Sequence, residues 1–375
     1  MLRLRRSAGY VAFEERYRRD LRRKEGDAVD DMEASNGEGD HAAEDGEMWK
    51  MSRGMDDTVE DAGRETIGIM PLSSRETLGS SHQACVAAIS LDSAGSRFAS
   101  GSMDHSMKLW DFGSMDRRLL SFREVEPLET FPVQLLRFSK TGGKILVGGG
   151  SPSVKVLDRD GIELYSCPEG DRYLHDMSQT KGHTAPLAGA EWHPTDPASF
   201  FTIAGDATVR IWNLEKDKAI TKHSKLIKIR ATRGQKVNPT AMLVDSSGSK
   251  IVVGCSDSSL RQYDTRSYSP RATGEVTEAC SPGTEFSSLC ASHDDTLYLG
   301  RSTDDCLRIW DARNLDQPLK CFQDLENVLG QIGAAFSPDG NMFATGTSVR
   351  KGSKQGASIV FFDRVRLEES GRVMI

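Results

Sequence analysis

No apolar run in this 375-residue chain approaches the ~18 residues needed to cross a bilayer as a helix, which excludes a helical membrane span. Its seven cysteines (Cys85, Cys167, Cys255, Cys280, Cys290, Cys306 and Cys321) are irregularly spaced, and none lies within four residues of another. A structural zinc site or a paired-thiol redox motif therefore has no support. The odd cysteine count, with no signal peptide at the start, predicts a reducing intracellular setting in which the thiols serve as small core hydrophobes. "GGGSPS" (148–153) is not followed by the Lys-Ser or Lys-Thr of a phosphate-binding loop, no serine sits in a G-x-S-x-G elbow, and no histidine cluster has metal-ligand spacing. These absences predict a non-enzymatic protein with no cofactor and no metal.

Charge is present but divided. The net charge of −7 combines a basic start, a strongly acidic stretch and a nearly neutral remainder. Residues 1–26 hold nine Lys or Arg against four acids, and "MLRLRRSAGYVAFEERYRRDLRRKEG" reads as a basic helix, with nuclear import or nucleic-acid contact as its functional reading. Residues 27–62 hold thirteen acids against Lys50 and Arg53 and too little apolar surface to offset chain entropy. The expected organisation is a disordered charged arm over 1–65 and a folded domain over 66–375.

Beyond residue 70 the sequence repeats. Six segments end in a large apolar residue followed by Asp or Asn: "SMKLWDF", "SVKVLDR", "TVRIWNL", "SLRQYDT", "CLRIWDA" and "SIVFFDR". They recur at intervals of 47, 55, 51, 47 and 52 residues. Each closes an alternating run of strand periodicity, such as Val209 and Ile211 about Arg210. Turn-forming stretches precede them: "SAGSR", "KTGGK", "PTDPA", "SSGSK" and "SPDGN". Turns every ten residues or so without helical periodicity predict an all-β fold. Four short strands per ~50-residue unit make a propeller blade, which must stack on neighbours to bury both faces.

These repeats resemble the WD-repeat family. In that family a blade can carry a hydrogen-bonded chain of His, Ser or Thr, Asp and Trp. The first repeat matches with His82, Ser100, Asp104 and Trp110, and the third with His183, Thr202, Asp206 and Trp212. A Thr, a His and an Asp in one segment could also suggest a hydrolase, but the resemblance makes them buried struts whose pairing avoids the cost of isolated polar groups. The fifth repeat keeps Asp304 and Trp310 but has Gly300 at the hydroxyl position, while the repeats at Leu157, Tyr263 and Phe362 lack the full set and are expected to be held less rigidly. "PLSSRETL" (71–78) reads as an outer strand for the last blade, and "RVRLEESGRVMI" (364–375) suffices for one strand more. The expected fold is thus a WD-repeat propeller with six recognisable repeats and a truncated seventh blade.

More specific stretches, "GDRYLHDMSQTKGHTA" (170–185), "EWHP" (191–194), "WDFGSMD" (110–116) and "ATGTSVRKGSKQGASIVFF" (344–362), resemble the gastrulation-defective group of WD-repeat proteins over roughly 68–370. That resemblance implies a nuclear scaffold, possible in the cytoplasm too, and monomeric within a larger complex. It further implies a substrate receptor of a cullin-4 RING ubiquitin ligase linked to histone ubiquitination and the DNA-damage response, or an association with spliceosomes. Receptors of that ligase carry a WDxR box, matched here by Trp310, Asp311 and Arg313, with Arg266 ending a degenerate copy in "YDTR". The alternative partner surface is a basic stripe of Lys218, Lys222, Lys225, Lys228, Arg230, Arg233 and Lys236, suited to weak nucleic-acid contact or to lysine guarding of an edge strand. Arg350, Lys351 and Lys354 in a Gly-Ser loop form a third candidate surface.

Overall fold

The computed structural model describes residues 66–67, 70–71, 76–79, 82–174, 176–214, 220–231, 234–266, 271–328, 330–349 and 356–374. Every regular element among them is a β-strand. Apart from a two-residue-strand hairpin (Thr66–Ile67 with Met70–Pro71), the strands form six antiparallel four-stranded sheets in simple meander order. These six blades span 86–125, 133–166, 187–228, 239–276, 286–322 and 334–374. The chain is a six-bladed β-propeller.

The third blade shows why the sequence folds this way. Its inner strand is Leu187–Trp192, followed by Ser199–Ala204, Thr208–Asn213 and the outer Lys225–Lys228. The two middle strands are buried on both faces and carry Phe200, Thr202 and Trp212 on one side and Phe201, Ile203, Val209 and Ile211 on the other. The outer strand buries only Ile227 between exposed Lys225 and half-buried Lys228. Period-two alternation thus sets one face of each strand against each neighbouring blade.

The turns explain the glycine pattern. Gly95, Gly142, Gly248 and Gly340 stand at φ of 66–71° in the turns that join each inner strand to the next, where a side chain is disfavoured. Asp295 takes that role in the fifth blade. At the opposite rim, His105, Ala207, Ser258 and Asp305 also have positive φ, each immediately after an Asp that caps its turn.

Five apolar clusters knit the blades together, one for each successive pair from first to sixth. Polar contacts cross the same seams. Arg97 pairs with Asp160 at 2.7 Å, Arg137 with Glu191, and Arg364 with Asp294, while Ser246 donates to Asp295. No such cluster among the described residues joins the sixth blade to the first. On the inner strand Val86–Leu91, Ala88 packs toward the second blade and the Ser90 hydroxyl accepts the Phe138 N–H. Ile89 and Leu91 point the other way and are 59% and 57% exposed.

Of "PLSSRETL", Pro71 falls in the small hairpin, 76–78 form no strand, and 72–75 lie outside the described residues. The sixth blade is completed by Glu368–Met374, paired with Ser358–Asp363, as expected of 364–375 as one further strand. The expected seventh blade would seat at the uncovered seam, and the described residues contain none of its strands. Replacing both Ile89 and Leu91 by Lys is expected to cost less than about 1 kcal/mol, as at ordinary surface positions, and to raise the temperature at which light scattering begins. Leu136→Lys, in a fully buried position of the next inner strand, should instead abolish cooperative unfolding.

Candidate interaction sites

In the third blade the structure brings the four polar residues into one chain of contacts. Trp212 Nε1 donates to Thr202 Oγ1 at 2.8 Å, Thr202 Oγ1 lies 2.7 Å from His183 Nε2, and His183 Nδ1 lies 3.0 Å from Asp206. With the carboxylate accepting from Nδ1–H, Nε2 accepts the threonine O–H, and every proton has one taker. Asp206 also accepts the Thr208 hydroxyl at 2.7 Å and the Thr208 N–H at 3.2 Å, which shapes the turn. Burial pushes the His183 ring toward its neutral form despite the Asp206 hydrogen bond. Burial would also raise the Asp206 carboxyl, but the His183 and Thr208 hydrogen bonds outweigh it and hold it below the usual carboxylate range. Thr202 is fully buried and already accepts the indole N–H, so it is no accessible nucleophile.

The first blade repeats the geometry: Trp110 to Ser100 at 2.9 Å, Ser100 to His82 at 2.8 Å, and His82 to Asp104 at 3.1 Å. The fifth shows why its chain is broken. A Cβ on Gly300 would lie 2.7 Å from the Trp310 ring, which has moved into the space a hydroxyl-bearing residue would need, and Trp310 Nε1 finds no acceptor.

Sequence reasoning missed a further device, an arginine, buried in two blades and largely buried in a third, four residues after the turn Asp. "DATVR" (206–210), "DSSLR" (257–261) and "DDCLR" (304–308) carry the spacing, which folds Arg back onto Asp across the hairpin. Arg308 reaches Asp304 at 2.6 Å. Arg261 binds Asp257 at 2.8 Å and Glu275 at 3.0 Å, so the fourth blade has a polar lock in place of the missing tetrad. Arg210 lies 3.7 Å from Asp206 and donates to the carbonyls of Thr180 and Met177 and to His223 Nδ1. It thereby pins the long connection between the second and third blades. Burial lowers its guanidinium to about 10 against the pull of Asp206.

The WDxR box divides by burial. Trp310 is fully buried and cannot touch a partner, which corrects its place among the contact residues. Asp311 accepts the Arg313 N–H at 2.8 Å and builds the turn, as Asp264 does for Arg266 at 2.8 Å. Only Arg313 and Arg266 are exposed, on turns that leave the third strands of the fifth and fourth blades toward the same rim.

The stripe divides as well. Lys222, Lys225, Arg230 and Lys236 are exposed, while Lys228 is tied to Asp176 at 2.7 Å and holds the long connection rather than standing ready for a ligand. Lys218, Arg233, Arg350, Lys351, Lys354 and the whole charged arm 1–65 lie outside the described residues. No group of three or more His, Cys, Asp or Glu among the described residues could hold a metal ion.

A family model described as "WD domain, G-beta repeat" matches residues 74–111. WD repeat-containing protein 70 of Xenopus laevis is 37% identical over 290 residues, covering 77% of this chain and 46% of its own length. The human protein of that name is 37% identical over 279 residues, covering 74% and 42%. Gastrulation defective protein 1 homolog of Drosophila melanogaster is 37% identical over 290 residues, covering 77% and 44%. The chain thus spans less than half the length of these relatives. The crystal structure of the β-propeller domain of Cps50 (Swd1) from Myceliophteria thermophila matches with a TM-score of 0.60 and 16% identity, covering 78% of this chain and 87% of that one, a likeness of fold alone. The chain carries a WD-repeat match, folds as a β-propeller, and over about three quarters of its length is similar to WD repeat-containing protein 70.

Proposed function

We propose that this propeller is a non-enzymatic nuclear scaffold that serves as a substrate receptor or adaptor of a cullin-4 RING ubiquitin ligase, linked to histone ubiquitination and the DNA-damage response. The observation that carries the reading is the pair of exposed arginines, Arg266 and Arg313. In each copy an Asp two residues earlier accepts the arginine N–H and fixes the turn, and the arginine itself is exposed, Arg266 with Asp264 3.6 Å from its Nε. Such a group forms bidentate bonds with a carboxylate on a docking partner. Arg313→Asp is expected to abolish co-purification of the ligase adaptor from nuclear extract while the variant still unfolds at the wild-type temperature. Retention of the adaptor by a correctly folded Arg313→Asp protein overturns the reading.

A second reading has its own observation. Lys222, Lys225, Arg230 and Lys236 present an acid-poor edge along the third blade, which fits a scaffold of spliceosomal ribonucleoprotein. No exposed aromatic platform accompanies that edge among the described residues, so contact would be with phosphate rather than base. Charge reversal at Lys225 and Arg230 separates the two, because it should remove RNA-dependent association and spare the ligase.

A further inference from the structure

A cleft of about 520 Å³ opens between the third and fourth blades, on the rim that carries Arg266. Its floor is the buried pair Phe201 and Ile211. One wall is formed by Ser224 and Lys225 entering the outer strand of the third blade, the other by the Ser247–Ser249 turn and Arg266 of the fourth. His193 shapes the cleft from inside. It stacks on Phe201 with centroids 5.4 Å apart, and its Nδ1 accepts the backbone N–H of Asp196 at 3.1 Å and of Thr195 at 3.3 Å. A nitrogen that accepts carries no proton, so the ring presents Nε2–H as a donor, and burial keeps it neutral. The opposing turn fits against that ring so closely that a Cβ on Gly248 would lie 2.4 Å from Nε2.

Asp196 is the one carboxylate in the lining, and it is turned into its own loop by the Ala198 N–H at 3.0 Å and the Ser199 hydroxyl. Asp264 accepts the Arg266 N–H and also lies 3.6 Å from Arg266 Nε, a loose ion pair on a side chain that stays 76% exposed. Lys225 and Arg266 are both exposed and stand on opposite walls. Exposed Lys222 continues the positive field along the adjoining edge.

We propose that this cleft is a binding site for an acidic peptide segment. One carboxylate or phosphate side chain of that segment sits between Lys225 and Arg266, and its chain lies over the Phe201–Ile211 floor. The volume is within the range of ligand sites, and an apolar floor with a few converging donors is their usual construction. Placing the anion between two cations from different blades makes recognition depend on the seam, not on net charge alone. The proposal goes beyond ligase docking and rests only on the protein-binding role of the propeller.

The test uses the full chain and a fluorescein-labelled twelve-residue peptide in three forms, Glu-rich, phosphoserine-containing and Gln-substituted, with anisotropy read at physiological salt. Saturable binding of an acidic form and none of the Gln form is expected. Ser224→Trp, which fills the cleft from an exposed position without altering charge, and Arg266→Glu should each weaken binding at least about tenfold. Arg313→Asp, on the next blade, should change it less than about threefold, which separates failure of the cleft from failure of ligase docking. Tighter binding of the phosphoserine form assigns phosphate as the anion, and equal binding assigns carboxylate. The proposal is overturned if no acidic peptide saturates, if Ser224→Trp has no effect, or if Lys222→Glu outside the cleft weakens binding as much as Arg266→Glu.

Discussion

Asp206→Ala is expected to destabilise the propeller by about 3–5 kcal/mol, the range for removing one member of a buried charged pair. Both partners are removed from water, with the Asp206 side chain 1% and the Arg210 side chain 0% exposed. The substitution strands two groups at once. His183 Nδ1 loses its acceptor, and Arg210 loses the one carboxylate near it while keeping neutral carbonyls that offset only part of its desolvation. The Thr208 turn also loses its cap. Asp104→Ala in the first blade has a smaller expected effect, because His82 and Asp104 are less buried and the residue four positions on is Lys108, paired outward with Glu124. Urea unfolding of the two variants should separate them clearly. Adding Arg210→Met to Asp206→Ala should recover part of the loss, since an apolar side chain removes the orphaned charge. Equal effects of Asp206→Ala and Asp104→Ala would show that the tetrad acts without the arginine.

That comparison marks what the sequence could and could not disclose. Blade number and order were legible because endings of a large apolar residue followed by Asp or Asn recur where the third strand of each blade meets its turn, and the spacing of His, hydroxyl, Asp and Trp is short enough to survive as a pattern. Arg210, Arg261 and Arg308 were equally regular in spacing, yet a charged residue in an alternating strand reads as its wet face. Only the fold shows that this face is covered by the long connection or by Glu275. The outer strands at the end of the chain were legible only as two candidates, 71–78 and 364–375. Strand length and alternation cannot say which of two candidate segments pairs, whereas the register of Ser358–Asp363 with Glu368–Met374 does. The WDxR box was legible as a string, but burial divides it into a core Trp310, a turn-building Asp311 and an available Arg313. The cleft beside His193 left no string at all, because its walls come from four turns and strand ends distant in sequence.

Stability should also begin to fall at a pH well above the titration of ordinary carboxylates. His223 is buried, its Nδ1 lies 2.8 Å from Arg210 Nη1 and 3.1 Å from the Lys181 carbonyl oxygen, and its protonation would place two cations in contact. Burial first, then Arg210 and nearby Lys222, bring its pKa down from 6.5 to about 4, against the Lys181 carbonyl, which favours the protonated ring. His183 shifts in the same direction, chiefly through burial. A histidine whose folded pKa is depressed binds its proton more readily when unfolded, so its stabilising contribution is complete above the unfolded value. That contribution is lost as pH falls from about 6.5 toward about 4. For His223 this window is worth about 2–3 kcal/mol at 1.36 kcal/mol per unit, less a discount for residual solvation. Asp206 acts lower down. Its depressed carboxyl contributes fully above the unfolded value near 3.9 and is lost only below it. Denaturation midpoints measured from pH 8 to pH 4 should therefore slope downward below about 6.5, before bulk carboxylate titration starts. His223→Gln, whose amide oxygen can still accept the Arg210 N–H but cannot titrate, should flatten most of that slope. A wild-type profile flat to pH 4.5, or an unchanged slope in His223→Gln, would remove the buried histidines from the account and leave acid loss to the carboxylates alone.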